Sequence, residues 1–226
     1  MTALAGWIGV TWALYLANMK LYRRWQRLWL SPMLVTPGVL IVAIAALGLS
    51  YENYLNATRP LVWMIGPATL AMAIPVYQHR GYIRQWWPAL LCGTITATVT
   101  AVASAAWLAR CFHLPETVSH SLVARSISLP FAFAVSDALA GTRDLTTLFV
   151  VVSGIVGIVI GDFALALLPL RSEQARGASL GAIAQVVGAA RAHEQSPARG
   201  VMASLTMIFT GALSIVVAPF LSRLFL

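Results

Sequence analysis

The chain has 226 residues, of which 59% are hydrophobic and only 10% charged, and its mean hydropathy is +0.80. Soluble domains carry about 25% charged residues, so this composition excludes a soluble globule and requires a lipid environment. The formal net charge of +8 is scattered between apolar runs, so no nucleic-acid partner is expected, and it reads as basic loops held at an anionic cytoplasmic leaflet.

Residues 1–19 carry no charge, and the basic cluster Lys20, Arg23, Arg24 and Arg27 follows them. A cleavable signal has its charges ahead of the apolar run. The reverse order predicts a retained membrane helix that ends in the cytoplasm, with the N-terminus outside. Spanning a bilayer takes about 20 apolar residues. Further runs lie at 28–51, 60–78, 85–109, 145–161 (resuming to 170 after Asp162) and 200–222. The loop with His79, Arg80 and Arg84 is then cytoplasmic, and 110–120 is external.

Two apolar segments are broken by proline: 61–78 at Pro67 and Pro75, and 117–140 at Pro130. Proline removes a backbone donor and clashes with the preceding turn. At membrane depth a broken helix survives only where it is buried in protein or lines a cavity. Paired interrupted helices point to a transporter's substrate site. If 117–140 is re-entrant, Arg171, Arg176, Arg191 and Arg199 all fall inside. A full crossing would put Arg171 and Arg176 outside, so the positive-inside rule favours re-entry. Residues 177–190 are too short and too small to span, and read as a re-entrant or tightly packed helix.

The expected fold is an all-α, polytopic integral membrane protein. It has six to eight membrane segments, two broken or re-entrant helices, and a single transmembrane domain over 1–226. A faint internal repeat pairs halves at about 61–110 and 122–171. At an offset of 61, Leu61-Val62 matches Leu122-Val123, Leu70-Ala-Met-Ala-Ile74 matches Phe131-Ala-Phe-Ala-Val135, and Gly93 matches Gly154. An odd number of crossings per half would invert the repeat. Small residues recur four apart at Gly93, Ala97, Ala101 and Ala105, and at Ser153, Gly157 and Gly161. Such faces let membrane helices approach closely.

Nothing in the chain reads as catalytic. The four histidines form no ligand pair, the seven carboxylates are dispersed, and no nucleophile or phosphate-loop motif occurs. No metal site or bound cofactor is expected. Cys92 reads as a small core residue, and with Cys111 it forms no metal pattern. Anion recognition remains. Arg125, Ser126 and Ser128 place a guanidinium and two hydroxyls ahead of Pro130, which suits a helix start. Free N–H groups and the helix dipole attract anions there. Gly66, Pro67, Ala68 and Thr69 offer the same chemistry in the other broken segment. The spacing equally suits an arginine that snorkels to the interface. Asp162 and Asp137 are candidates for binding a coupling H⁺ or Na⁺. Gln185 shares a face with Gly177, Gly181 and Gly188, and Arg191 closes it.

Tyr51-Glu-Asn-Tyr54, Gly66-Pro-Ala68, Ala73-Ile-Pro-Val-Tyr77, Arg125-Ser-Ile-Ser-Leu-Pro130 and Gly177…Gly181…Gly188-Ala-Ala-Arg191-Ala, in that order, resemble the LrgB/CidB family over about residues 30–222. The resemblance implies a multi-pass protein of the bacterial cytoplasmic (inner) membrane, often encoded beside a small holin-like membrane partner. Two functions are attached to such proteins. One is antiholin-like regulation of murein hydrolases and lysis. The other is transport of small monocarboxylates such as pyruvate, lactate, glycolate or glycerate, the last two through a plastidial relative. Partners implied are therefore a small organic anion, the bilayer, the holin-like protein and further copies of the chain. The chain departs from the family pattern at Leu129, where a hydroxyl residue is usual, at Gln185, which stands in a histidine's place, and at Ala189, which stands in a threonine's.

Overall fold

The computed structural model describes residues 2–25, 30–170 and 172–225, and among them there are helices and turns but no strand. Arg27 and Arg171, which enter the topology argument above, lie outside the described residues. Among the described residues, four stretches are long and apolar enough to cross a membrane: Tyr51–Gln78, Arg80–Cys111, Arg143–Leu167 and Pro197–Phe220. Shorter apolar helices lie at Val35–Ala46 and Leu129–Ala138. This is a multi-pass membrane protein.

The chain divides into two compact units, Met1–Pro67 and Ala68–Leu226. The first holds α1 (Thr2–Trp25), α2 (Pro32–Ala46), α3 (Tyr51–Trp63) and the start of α4 (Ile65–Ala71). Its cohesion is partly aromatic and polar. The rings of Trp7 and Tyr54 meet edge to face at 5.5 Å, and the Tyr54 hydroxyl lies 3.3 Å from that of Thr11. The Asn18 amide donates to Thr36 at 3.4 Å.

The second unit continues with α5 (Ala73–Gln78), α6 (Arg80–Cys111), α7 (Glu116–Val123), a 3₁₀ turn (Ala124–Ser126), α8 (Leu129–Ala138), α9 (Arg143–Leu167), α10 (Glu173–Gln195) and α11 (Pro197–Phe225). Between α3 and α5 the helical register lapses at Met64 and Met72, each three residues ahead of a proline. That is where a proline's missing N–H and ring clash fall. The stretch 80–86, expected as a loop, is the helical start of α6. It kinks at Trp86 (φ −111°, ψ 17°), two residues before Pro88.

Two parts of this unit fold back on themselves. In the first, Thr142 N–H donates to Ser121 Oγ at 2.8 Å. The chain therefore leaves α7, turns at 124–128 and returns along α8 to within a hydrogen bond of α7. It exits α8 through Ala140 at φ +57°, with Gly141 N–H on the Ser136 carbonyl at 2.8 Å, a Schellman closure. Gly141 has to be glycine, since a Cβ would lie 2.7 Å from Ser136 Oγ and 3.0 Å from Ser121 Oγ.

The second is α10, expected over 177–190 as a re-entrant or tightly packed helix. It covers 23 residues and is broken at Gln185 (φ 52°, ψ −123°). A straight helix of that length would part its ends by about 33 Å. Instead Glu173 and Gln195 both bond to Arg199. The Leu180 carbonyl also stands where a Cβ on Gly188 would go. Arms 173–184 and 186–195 thus form a helical hairpin. The backbones of Arg199 and Ala203 in α11 lie against Gly177 and Gly181, so only glycine fits there.

Candidate functional site

The helix α9 serves as a ruler for where the two reversals lie. Gly161 faces Leu180, Gly157 faces Ile183 and Gly154 faces Ala184 and Val187, so the α10 hairpin climbs α9 toward its middle. From the other end Thr146 bonds to Ser136 at 2.8 Å, and Ser153 accepts from Arg125 at 3.4 Å. Both tips therefore reach the level of residues 153–154. There they touch: Gln185 Nε2 donates to the Arg125 carbonyl at 2.8 Å.

Beside this junction is a cavity of about 780 Å³ between α6, α9 and α10. Its walls are apolar and small (Gly93, Ala97, Ala101, Val152, Val156, Ile183), with hydroxyls from Thr96, Thr100, Ser104, Ser126, Ser153 and Ser179. Arg125 is the single charged residue among the described residues lining it. The guanidinium is held from two sides, with Nη2 donating to Ser104 Oγ at 2.8 Å and Nη1 to Ser153 Oγ at 3.4 Å. Its Nε–H is buried and has no hydrogen-bond partner. A fixed guanidinium with a spare donor, among hydroxyls and without a carboxylate, suits an anion.

The other residues singled out from the sequence are distributed as follows. Ser126 lines the cavity with Arg125. Ser128 is the N-cap of α8 and 1% exposed, yet its hydroxyl makes no capping bond. Pro130 sits in the first turn of α8, where a missing N–H costs nothing. Gly66 and Pro67 close the first unit, while Ala68 and Thr69 open the second without lining the cavity. Gln185 is 4% exposed and bridges the two tips. Asp162 and Arg191 pair at 3.3 Å, beside a smaller cavity of about 210 Å³ that Arg176 and Arg199 also line. Asp137 forms a two-point pair with Arg143 at 3.0 and 2.6 Å, both side chains being well exposed. Cys92 and Cys111 are both free and exposed, and Cys92 lines the main cavity instead of packing in a core.

Ser104 and Ser153, the side chains that hold Arg125, were not named as site residues from the sequence. Ser153 was visible only as one step of a small-residue face. On α9 that face does pack closely, with Gly157 against the Ile183 backbone. On α6 the corresponding face (Gly93, Ala97, Ala101) lines the cavity, because α9 and α10 leave space in front of it.

Compared with known proteins, the family model for LrgB-like proteins matches residues 11–224. An uncharacterized protein of Bacillus subtilis (strain 168), YwbG, is 33% identical over 212 residues, 94% of each chain. A holin-like protein CidB of Staphylococcus epidermidis is 26% identical over 216 residues, 96% of this chain and 94% of the relative. An antiholin-like protein LrgB of Bacillus subtilis is 24% identical over 189 residues, 84% and 82% of the two chains. No solved structure matches.

Proposed function

Since the chain belongs to the LrgB-like family, we propose that it is a transporter of small organic anions in the bacterial inner membrane, with Arg125 as the anion's principal contact. The observation that carries this reading is the guanidinium at the meeting point of two hairpins. It faces a cavity without a carboxylate among the described residues and keeps one buried donor unused. One positive charge favours a monoanion, and the fork geometry of arginine favours a carboxylate. Monocarboxylates such as pyruvate, lactate, glycolate and glycerate have that chemistry.

In this reading both hairpins are re-entrant. Residues 121 and 142 are within a hydrogen bond of each other, and so are both ends of α10 with Arg199. A segment whose ends meet does not cross a core of about 30 Å. The α7–α8 hairpin then enters from the outer face and the α10 hairpin from the cytoplasmic face. Arg176, Arg191 and Arg199 fall inside, as the positive-inside rule asks. A helix followed by a hairpin occurs twice in opposite orientation, as α6 with α7–α8 and as α9 with α10. Inverted repeats of this kind alternate access by moving one element against another around a fixed midplane site.

The relatives' names favour a second reading, an antiholin-like regulator of lysis that acts with a small holin-like membrane protein or with further copies of itself. Uptake of labelled monocarboxylates into proteoliposomes holding this protein alone separates the two. Saturable uptake that Arg125→Ala removes supports transport. Uptake no greater than in empty liposomes, for every monocarboxylate tried, would leave the regulator.

A further inference from the structure

Three hydroxyls around the hairpin junction are buried without a hydrogen-bond partner: Ser128 Oγ, Thr206 Oγ1 and Thr210 Oγ1. Their residues are 1%, 0% and 2% exposed. Several hydroxyls in these helices bond the carbonyl four residues back, although the buried Thr94 hydroxyl of α6 does not. Thr98 bonds Thr94, Ser179 bonds Ala175, and Ser214 bonds Thr210. Thr206 and Thr210 stand in mid-helix, where that bond is within reach, and do not make it.

The three hydroxyls lie at one level. The 173–184 arm runs parallel to α11, with Gly177 at Arg199 and Gly181 at Ala203. The same register brings the break at Gln185 to Met207, between Thr206 and Thr210. From above, the Phe131 ring fills the space beside Gly211. Ser128, one turn earlier, comes down to that same level. The 173–184 arm ends at this level, with the Ile183 and Ala184 carbonyls against Gly157 and Gly154 of α9. These carbonyls have no intrahelical partner because the helix stops, and they carry the negative end of its dipole.

We propose that Ser128, Thr206 and Thr210, beside the C-terminal end of that arm, bind a single Na⁺ ion. Neutral oxygens select a hard cation. A divalent ion would want carboxylates, and among the described residues no cluster of three His, Cys, Asp or Glu side chains is placed to hold a metal. Unwound carbonyls and half-helix C-terminal ends are the usual partners of a coupling Na⁺. Arg125 reaches toward α6 and α9, while these hydroxyls border α11. An anion at the first and a cation at the second would each favour the other by charge. The candidate acids Asp137 and Asp162 are each engaged with an arginine instead. The purpose of the site rests on the transporter reading, but its geometry does not.

The test uses the purified full-length protein in detergent with no organic anion, its melting followed in NaCl, KCl or choline chloride at equal ionic strength. The expected result is saturable stabilisation by Na⁺ alone. Thr206→Val and Ser128→Ala should each raise the half-saturating Na⁺ concentration roughly tenfold or more, while Thr147→Val, whose hydroxyl bonds the Arg143 carbonyl near the start of α9, keeps the response. Thr210→Ser keeps the hydroxyl and should keep the response, Thr210→Val should not, and this pair decides the matter if Thr206→Val fails to fold. Equal stabilisation by all three salts, or an unchanged Na⁺ response in the valine variants, overturns the proposal. A Na⁺ response without any anion uptake would instead sink the transporter reading and leave the cation site standing.

Discussion

At 124–128 the chain reverses over a 3₁₀ turn and two extended residues, Ile127 and Ser128, ahead of Pro130. At Gln185 it reverses around one residue, with φ +52° and neither proline nor glycine at the break. The first tip is made locally, by a proline that can begin a helix but not continue one. The second is imposed by its surroundings. A non-glycine residue at positive φ with ψ near −120° is strained. It persists here because Gln185 bonds the Arg125 carbonyl and because Gly177, Gly181 and Gly188 let backbones meet. Two breaks at one height in a membrane protein can thus have opposite origins, and substitutions should tell them apart.

The largest effect is expected where the second tip depends on its supports. Gly181→Val puts a side chain into the Ala203 backbone and should destabilise by about 1–3 kcal/mol or more, read as lost thermal stability and monodispersity. Gly93→Ala, whose Cβ would meet only the Ala178 Cβ at 4.0 Å, should be tolerated and gain up to about 1 kcal/mol from helix propensity. Equal melting of the two variants would mean that the close approach of α10 and α11 is absent in the membrane.

Next comes the charge at the first tip. Arg125→Ala should weaken anion binding by about one to two orders of magnitude, since a charged hydrogen bond is worth about 1.5–3 kcal/mol and 1.4 kcal/mol is tenfold. Arg125→Lys should recover part of it, having the charge but not the fork. Ligand-dependent melting checks both, and unchanged affinity in Arg125→Ala would move the site elsewhere.

A smaller effect sharpens the contrast between the tips. Gln185→Ala loses the bond to Arg125 and keeps the strain, a cost of about 1 kcal/mol. Gln185→Gly loses the same bond but relieves the strain, by about 1 kcal/mol. Gln185→Gly should therefore melt above Gln185→Ala. The reverse order would argue that the left-handed geometry is not adopted.

The smallest effect concerns the base of the α10 hairpin. The hydrogen-bonded guanidinium of Arg199 holds the Glu173 carboxyl below its ordinary range. A carboxyl lowered on folding stabilises above its unfolded pKa, and that contribution is lost as pH falls through the lowered value. Glu173→Gln should flatten this acid-side loss in a melting series against pH. An unaltered profile would show that the pair contributes nothing, as many exposed pairs do.

Much of this protein was legible in the chain itself. Composition decided the solvent, because so few charges cannot clothe a soluble surface. A helix start at Pro130 was legible because proline acts within one helical turn, and Arg125 stood out because a guanidinium inside an apolar segment is costly. The 93–101 face was read only as packing, since a small residue looks the same whether it meets a helix or borders a cavity. The reversal at Gln185 left no mark at its own position, as glutamine is an ordinary helix former. Its cause lies in glycines four and eight residues before it and three after, and in a carbonyl 60 residues away. Ser104 and Ser153 were equally silent: the Ser104 hydroxyl donates to its own helix at Thr100 and Ala101, as a helical serine commonly does, and only packing brings Arg125 to its free lone pair. Local covalent constraints and solvent were written in the sequence. Which faces met, which hydroxyls turned outward and where the second chain reversal fell were decided by long-range packing.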